Sequence, residues 1–354
     1  MKTDVVIVGG GLSGLALAEM LHRACVDFQV LEARAQFGGR ISSARVGAAD
    51  FDLGPAWFWS GQPRIASLIA RFGLKVFEQA FEGATVVEDR SGHVRRAGAG
   101  ASMQGALRID GGMTGLVSGV LAALPPTCVH SGRRVSAIKQ EGGALHIAAQ
   151  GSDEAIIARR AVLAVPPRIA QARIAFSPPL PDPAMAAMAG IPTWMAGQAK
   201  FVAVYDTPFW RHAGLSGDAM SQFGPMVELH DASAAGGKGF ALFGFVGVPA
   251  EVRQAHADEL RPLAIAQLER LFGPAAASPQ KLLFQDWAQE VDIATLADHL
   301  PAAGHPAYGR ARNLSGLWQG RLRLGSTEMA SEFGGFLEGA LEAAEDVFGR
   351  LMSD

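Results

Sequence analysis

An α/β fold is what the sequence predicts: a Rossmann-type domain built on a parallel sheet, joined to a second domain of α+β type. Three observations predict it. The stretch TDVVIVGGGLSGLALAEMLHRACVDFQVLEAR reads as strand, glycine turn, helix and strand. Much later, AKFVAVYDTPFW and FALFGFVGV read as strands of another sheet, ahead of a helical stretch that follows Pro249 and stops at Gly273-Pro274. The 354 residues are also enough chain for two domains with a sizeable buried core.

Each element of the first unit has its own reason. Val5 to Val8 form a continuous β-branched run of the kind buried on both faces of a parallel sheet. Gly9, Gly11 and Gly14 then supply GxGxxG: Gly9 permits the tight turn, Gly11 lets the backbone approach a pyrophosphate, and Gly14 allows close helix-to-strand packing. Leu12 and Ser13 open the helix whose free N–H groups and positive dipole end face the phosphates. Glu32 follows the second strand, placed to accept hydrogen bonds from ribose hydroxyls, and Ala33 and Arg34 beside it are expected at the same site. These features call for a dinucleotide. The continuation LEARAQFGGR favours FAD over NAD, because Gly38 and Gly39 permit a second close backbone approach and Arg40 can reach phosphate or the ring of an extended cofactor.

Composition excludes several classes. A net charge of −3 with both signs dispersed argues against a nucleic-acid face or a polybasic membrane anchor. Cys25 and Cys128 are too few for a disulfide framework or a thiolate metal site, so a reducing cytoplasm is the expected compartment and no metal is expected. The uncharged run from Val5 to Ala18 is glycine-rich and too short to span a bilayer.

The second domain raises one question. Lys200 heads an alternating run and shares a strand face with Val202 and Val204, which should be buried. Either it snorkels from a strand end or pairs with a carboxylate, or it serves a site. The cofactor domain is expected to be discontinuous, comprising residues 1–75, 108–167 and 310–354, with 76–107 and 168–309 forming the substrate domain. The stretch from 177 to 195 would cross between them. A helix is expected around Ala250 to Phe272. His212, His230 and His299 are expected on the surface or in loops, and Arg96, Arg108, Trp210 and Arg211 at a substrate entrance.

From LEARAQFGGR and FDLGPAWFW onward the chain resembles the flavin-containing amine oxidase family. Matching segments follow in order: GGMTGLVSGVL, AVLAVPP, AKFVAVYDTPFW and, most specifically, GSTEMASEFGGFLEGALEAAE at 325–345. The resemblance implies the amine oxidase/glutathione reductase-like FAD fold over nearly the whole chain. It places Gly54, Pro55, Ala56 and Trp57 beside the flavin, Val135 against adenine, and Thr327, Glu328, Gly335, Phe336 and Leu337 along pyrophosphate and ring. Lys200 would hold a water next to flavin N5, and Trp287 would lie near the ring. The implied reaction is hydride transfer from the C–H next to an amine nitrogen to flavin N5, giving an imine, with dioxygen reoxidising the flavin to release hydrogen peroxide.

Three departures bear on this. Thr295 stands where some members carry a cysteine that binds FAD covalently, so FAD should be noncovalent. Leu296 and Phe336 stand where monoamine oxidases place two aromatic walls, so one wall should be aliphatic. Residues 82–110, expected as a hairpin and loop, are all that remains of a larger covering region, so the substrate cavity should be shallower or more open, or completed by another chain. A renalase-like oxidation of dihydronicotinamides, a desaturase-like action on C–C bonds, and flavin binding without turnover are the alternatives.

Overall fold

The computed structural model describes residues 1–98, 103–151, 154–300 and 304–353. Residues 99–102 of the expected hairpin-and-loop stretch and 301–303 of the stretch after Trp287 lie outside it.

The strand Lys2–Val8 is central to the first sheet, parallel to Phe28–Leu31 on one side and to Ile156–Leu163 on the other. Its side chains alternate between two cores, which is why the run is apolar throughout. Val5 and Ile7 pack with the helices Leu12–Arg23 and Leu337–Ser353, whereas Val6 and Val8 pack on the opposite face with Ile138, Ile147 and Leu322. Beyond Ile156–Leu163 the sheet turns antiparallel through Ala144–Ala149 and Val135–Glu141, and its last strand is Ala175–Ser177. Leu180, Ala184 and Met188 continue that core, so the chain stays on the first sheet past residue 167 before crossing.

The second sheet orders its strands Lys281–Asp286, Ala199–Tyr205, Phe240–Val246, Met226–Asp231, Leu215–Ser221, Ala84–Glu88 and Val94–Arg96. One side of the Ala199–Tyr205 strand carries Phe201, Ala203 and Tyr205, which share a core with Leu260, Ala264, Leu268 and Leu271 of the helix Ala257–Phe272. Its other side carries Val202 and Val204 against Phe51 and Leu53, the first of them in the hairpin Ser43–Val46/Ala49–Asp52. Lys200 lies on this second side, so the sheet aims it at the first domain. The shortened stretch does form a hairpin, Ala84–Glu88 with Val94–Arg96, whose turn is held by Asp89 accepting from the Ser91 and His93 amides.

Two local expectations are corrected. The single helix expected from Ala250 to Phe272 is two, Ala250–Ala255 and Ala257–Phe272, because His256 leaves helical geometry between them. His230 is buried at 2% exposure, its imidazole held between Asp218 and Glu228 at 2.8 Å each. Strand alternation alone turned it inward. Burial by itself would lower its pKa, but those two hydrogen bonds carry it above the ordinary histidine value.

Candidate active site

A cavity of about 400 Å³ runs from the first glycine turn to Lys200. Of the residues expected at a site, Gly9, Gly11, Leu12, Ser13, Glu32, Ala33, Arg34, Gly38, Gly39, Arg40, Gly54, Pro55, Ala56, Trp57, Val135, Lys200, Trp287, Thr327, Gly335, Phe336 and Leu337 line it. Gly14 and Glu328 stand behind the wall.

At the nucleotide end the glycines divide by role. A Cβ on Gly14 would lie 2.1 Å from the Gly9 carbonyl oxygen, so the helix-to-strand contact itself forbids one. A Cβ on Gly11, which lines the cavity, would meet protein no closer than 3.8 Å. Packing therefore does not demand glycine at 11; a ligand lying against that backbone would. Gly38 extends the floor, donating its N–H to the Gly10 carbonyl at 2.9 Å. Glu32, buried, accepts from the Gly10 amide at 2.7 Å and the Arg34 amide at 2.9 Å, which fixes its carboxylate and leaves lone pairs over the cavity.

The middle of the cavity is closed by the C-terminal segment. Ser13 donates its hydroxyl to the Gly325 carbonyl, locking the first helix to the strand before Thr327. Thr327 donates to the Phe336 carbonyl at 2.8 Å, holding the turn in which Gly335 takes a φ of +83° ahead of the helix Leu337–Ser353. Arg40 reaches Glu328 at 2.7 Å, an ion pair whose approach leaves both buried carboxylate oxygens without an aligned donor. Ser326 Oγ is orphaned beside them.

The far end gathers distant segments. Lys200, 3% exposed, donates to the Gly54 carbonyl at 3.3 Å and sits 4.0 Å from the centre of the Phe243 ring. Burial pushes its pKa down to about 7, with buried Asp52 opposing that shift and Arg108 adding to it. Asp52 in turn is raised by burial, although Arg108 and hydrogen bonds from Ser43 and the Met113 amide favour its ionised form. Trp57 donates Nε1–H to Gln79 at 2.8 Å and stands edge-on to His230 with ring centres 5.2 Å apart. Trp287 donates to the Leu53 carbonyl at 3.2 Å while packing with Ala196, Ile293 and Ala294, so it is both a core residue and a wall of the cavity.

Several expectations need correcting here. Leu296 is 83% exposed and does not line the cavity, so it forms no wall. Phe336, the other expected wall, does line the cavity; 39% exposed, it stacks on His305 with ring centres 4.8 Å apart and planes 9° apart, and Trp194 meets the edge of His305. Arg108 and Trp210 are buried rather than at an entrance: Arg108 donates to the Ala232 and Ser233 carbonyls, and Trp210 donates to Asp231. Sequence reasoning also missed Trp59, Trp194, Met195 and Phe245 on the wall. Of these, Phe245 was within reach, since it pairs directly with Lys200 in the register of the two strands. Thr295 caps a short helical turn, its hydroxyl and amide both donating to Asp298.

The model of flavin-containing amine oxidoreductases matches residues 77–347, and that of an NAD(P)-binding Rossmann-like domain matches 7–72. The chain belongs to the flavin-containing amine oxidoreductase family. A relative described as a probable flavin-containing monoamine oxidase A from Dictyostelium discoideum is 26% identical, the match covering 96% of this chain and 95% of the relative. That alignment runs over 439 positions against 354 residues here, so the relative holds insertions this amine oxidoreductase lacks. Putrescine oxidase bound to putrescine superposes with a TM-score of 0.83 at 21% identity over the whole of both chains. Cyclohexylamine oxidase from Brevibacterium oxydans gives 0.83 at 18% identity, covering 100% of this chain and 99% of its own. Both are likenesses of fold.

The family's flavin fits the residues present. The open space beside Gly11, the fixed carboxylate of Glu32 and the unpartnered Ser326 hydroxyl on the wall are each accounted for by a dinucleotide with pyrophosphate and polyol groups.

Proposed function

We propose that this protein is an amine oxidase of the cytoplasm that holds FAD noncovalently, takes a small amine and passes electrons to dioxygen. The observation that carries this reading is Lys200: a buried cation at the end of the dinucleotide cavity, where Gly54, Trp57, Trp287 and Phe336 converge. An ammonium is costly in an apolar wall unless an anionic or polar group faces it.

Glu32 would hold the adenosine ribose and the Gly9–Gly14 turn the pyrophosphate, with Arg40 and Glu328 near the polyol. Bound FAD supplies the two-electron acceptance that turns the C–H next to an amine nitrogen into an imine. Lys200 presents positive charge there, and with a pKa near 7 its Nζ can hold or release a proton at neutral pH. Trp57, Trp287 and Phe336 exclude water and offer flat faces to the substrate. Noncovalent binding is supported by Thr295, a hydroxyl committed to Asp298 where a thiolate would be required. The thiols of Cys25 and Cys128 are free, as a reducing compartment would keep them.

The test is purification without added cofactor. The protein should be yellow, acid precipitation should release the colour into the supernatant, and an amine panel without oxygen should bleach it, with peroxide formed on readmitting air. A colourless protein that stays colourless after incubation with FAD refutes the reading, and flavin left on the acid pellet refutes noncovalent binding.

A further inference from the structure

Trp57 lines the cavity half-buried, yet its indole is anchored by residues that stand behind the wall. Its Nε1–H is given to Gln79 Oε1 at 2.8 Å. Gln79 is 2% exposed, and its Nε2 donates to the Asp231 carbonyl at 2.7 Å and to the Ala80 carbonyl at 3.0 Å. With both amide hydrogens taken by carbonyls, only Oε1 is left for the indole, so the amide has one orientation. The backbones on either side are fixed too. Strands Phe58–Trp59 and Val76–Glu78 flank the strand Ala106–Ile109, and the Gln79 amide donates to the Ala106 carbonyl at 2.9 Å.

Two rings complete the support. His230 stands nearly perpendicular to the indole, and Phe243 lies 5.2 Å from it with the planes at 48°; Lys200 Nζ is 4.0 Å from the centre of that same Phe243 ring. Trp57 and Lys200 therefore rest on one phenyl group. Ring contacts limit how far the indole can move but tolerate rotation, whereas the bond to Gln79 is directional and sets its angle. Resting on the amine oxidation proposed above, we propose that Gln79 is a positioning residue for that reaction: it does not line the cavity, but it sets the plane of the Trp57 indole against which the amine lies. A wall free to rotate would admit the amine in many poses, few of which bring its C–H to the electron acceptor.

Gln79→Met keeps the length of the side chain and removes its hydrogen bonds. In oxygen-free bleaching of the holoprotein, by whichever amine of the panel bleaches the unsubstituted protein fastest, the second-order rate constant should fall roughly 10-fold. In a Trp57→Phe background, which has no N–H to give, the same substitution should change the constant by less than about two-fold. An unchanged constant in Gln79→Met, or equal losses in both backgrounds, overturns the proposal while leaving amine oxidation standing, because a residue that only stabilises the fold acts whatever stands at 57. If dithionite bleaches the flavin but no amine does, amine oxidation itself fails and the positioning role with it. Gln79→Asn keeps an amide but is one carbon shorter, and it provides the same contrast if the methionine variant does not hold flavin. Hydrogen exchange of the indole N–H groups in the unsubstituted holoprotein needs neither variant of Gln79, the signals being assigned by their loss in Trp57→Phe and Trp59→Phe. The Trp57 N–H should exchange at least about 100-fold more slowly than that of Trp59, which is 39% exposed; exchange as fast as that of Trp59 overturns the proposal.

Discussion

The two ends of the cavity are built on different plans. At the nucleotide end, one continuous stretch from Gly9 to Arg40 supplies turn, helix start, carboxylate and second glycine pair, each fixed by backbone bonds to the others. At the Lys200 end, the wall comes from separate segments around residues 54–59, 194–200, 245, 287 and 335–337, held by contacts that only the tertiary fold creates. The first end tolerates little change in the backbone and the second little change in charge. A local motif can bind the same cofactor in many proteins, whereas a wall assembled from five segments can be revised one residue at a time.

The largest expected effect tests the charged end. Lys200→Met keeps the length and apolar contacts of the strand face but removes the cation, and reoxidation by dioxygen should slow by about 100-fold or more. Its pH dependence gives the sign. Lys200 has a depressed pKa near 7, so it is protonated below that value and neutral above it. Stopped-flow reoxidation in the unsubstituted protein should therefore lose rate as pH rises through about 7, and the inflection should vanish in the variant. An unchanged pH profile would show that this end does not work through the lysine's charge, and the contrast between the ends would fail.

How much could be read from the residues alone follows the same division. The glycine turn, Glu32 and the Gly38-Gly39-Arg40 stretch were legible because their geometry is local: spacing along the chain fixes position in space. Lys200 was legible as an anomaly on a strand face, and the face it shares with Val202 and Val204 is the one the sheet turns to the first domain. Leu296 was misread because a position aligned within a loop carries no information about where that loop packs, and it lies exposed while Trp194 and His305 flank Phe336. His230 was misread for a related reason. Its partner Glu228 stands two residues away on the same strand, but the second partner, Asp218, comes from the neighbouring strand, and the burial follows from how the sheet packs.

The next effect separates cofactor binding from folding at the nucleotide end. Gly14→Ala forces a Cβ to 2.1 Å from a backbone oxygen that cannot rotate away, and the apoprotein should lose about 1–3 kcal/mol or more in denaturant unfolding. Gly11→Ala meets nothing closer than 3.8 Å, so its apoprotein should unfold within about 0.5 kcal/mol of the original, yet FAD affinity should fall at least about 10-fold. If both glycines proved equally destabilising in the apoprotein, Gly11 would be a packing residue and the end would carry no sign of a ligand.

Glu32→Gln gives the smallest expected change and sharpens the picture most finely. The carboxylate uses one oxygen for the Gly10 amide and the other for the Arg34 amide, and both oxygens retain lone pairs for ribose hydroxyls. A glutamine offers one acceptor oxygen, and its NH2 group must face a backbone N–H that cannot accept from it. The lost charge-assisted bond predicts roughly a 10-fold weaker Kd for FAD, read by flavin fluorescence on titrating apoprotein. Turnover at saturating FAD should stay within about two-fold, because Lys200 and the aromatic wall are untouched. Were kcat to fall as far as affinity, the carboxylate's influence would extend to the reacting end, and the two ends would have to be treated as one coupled site.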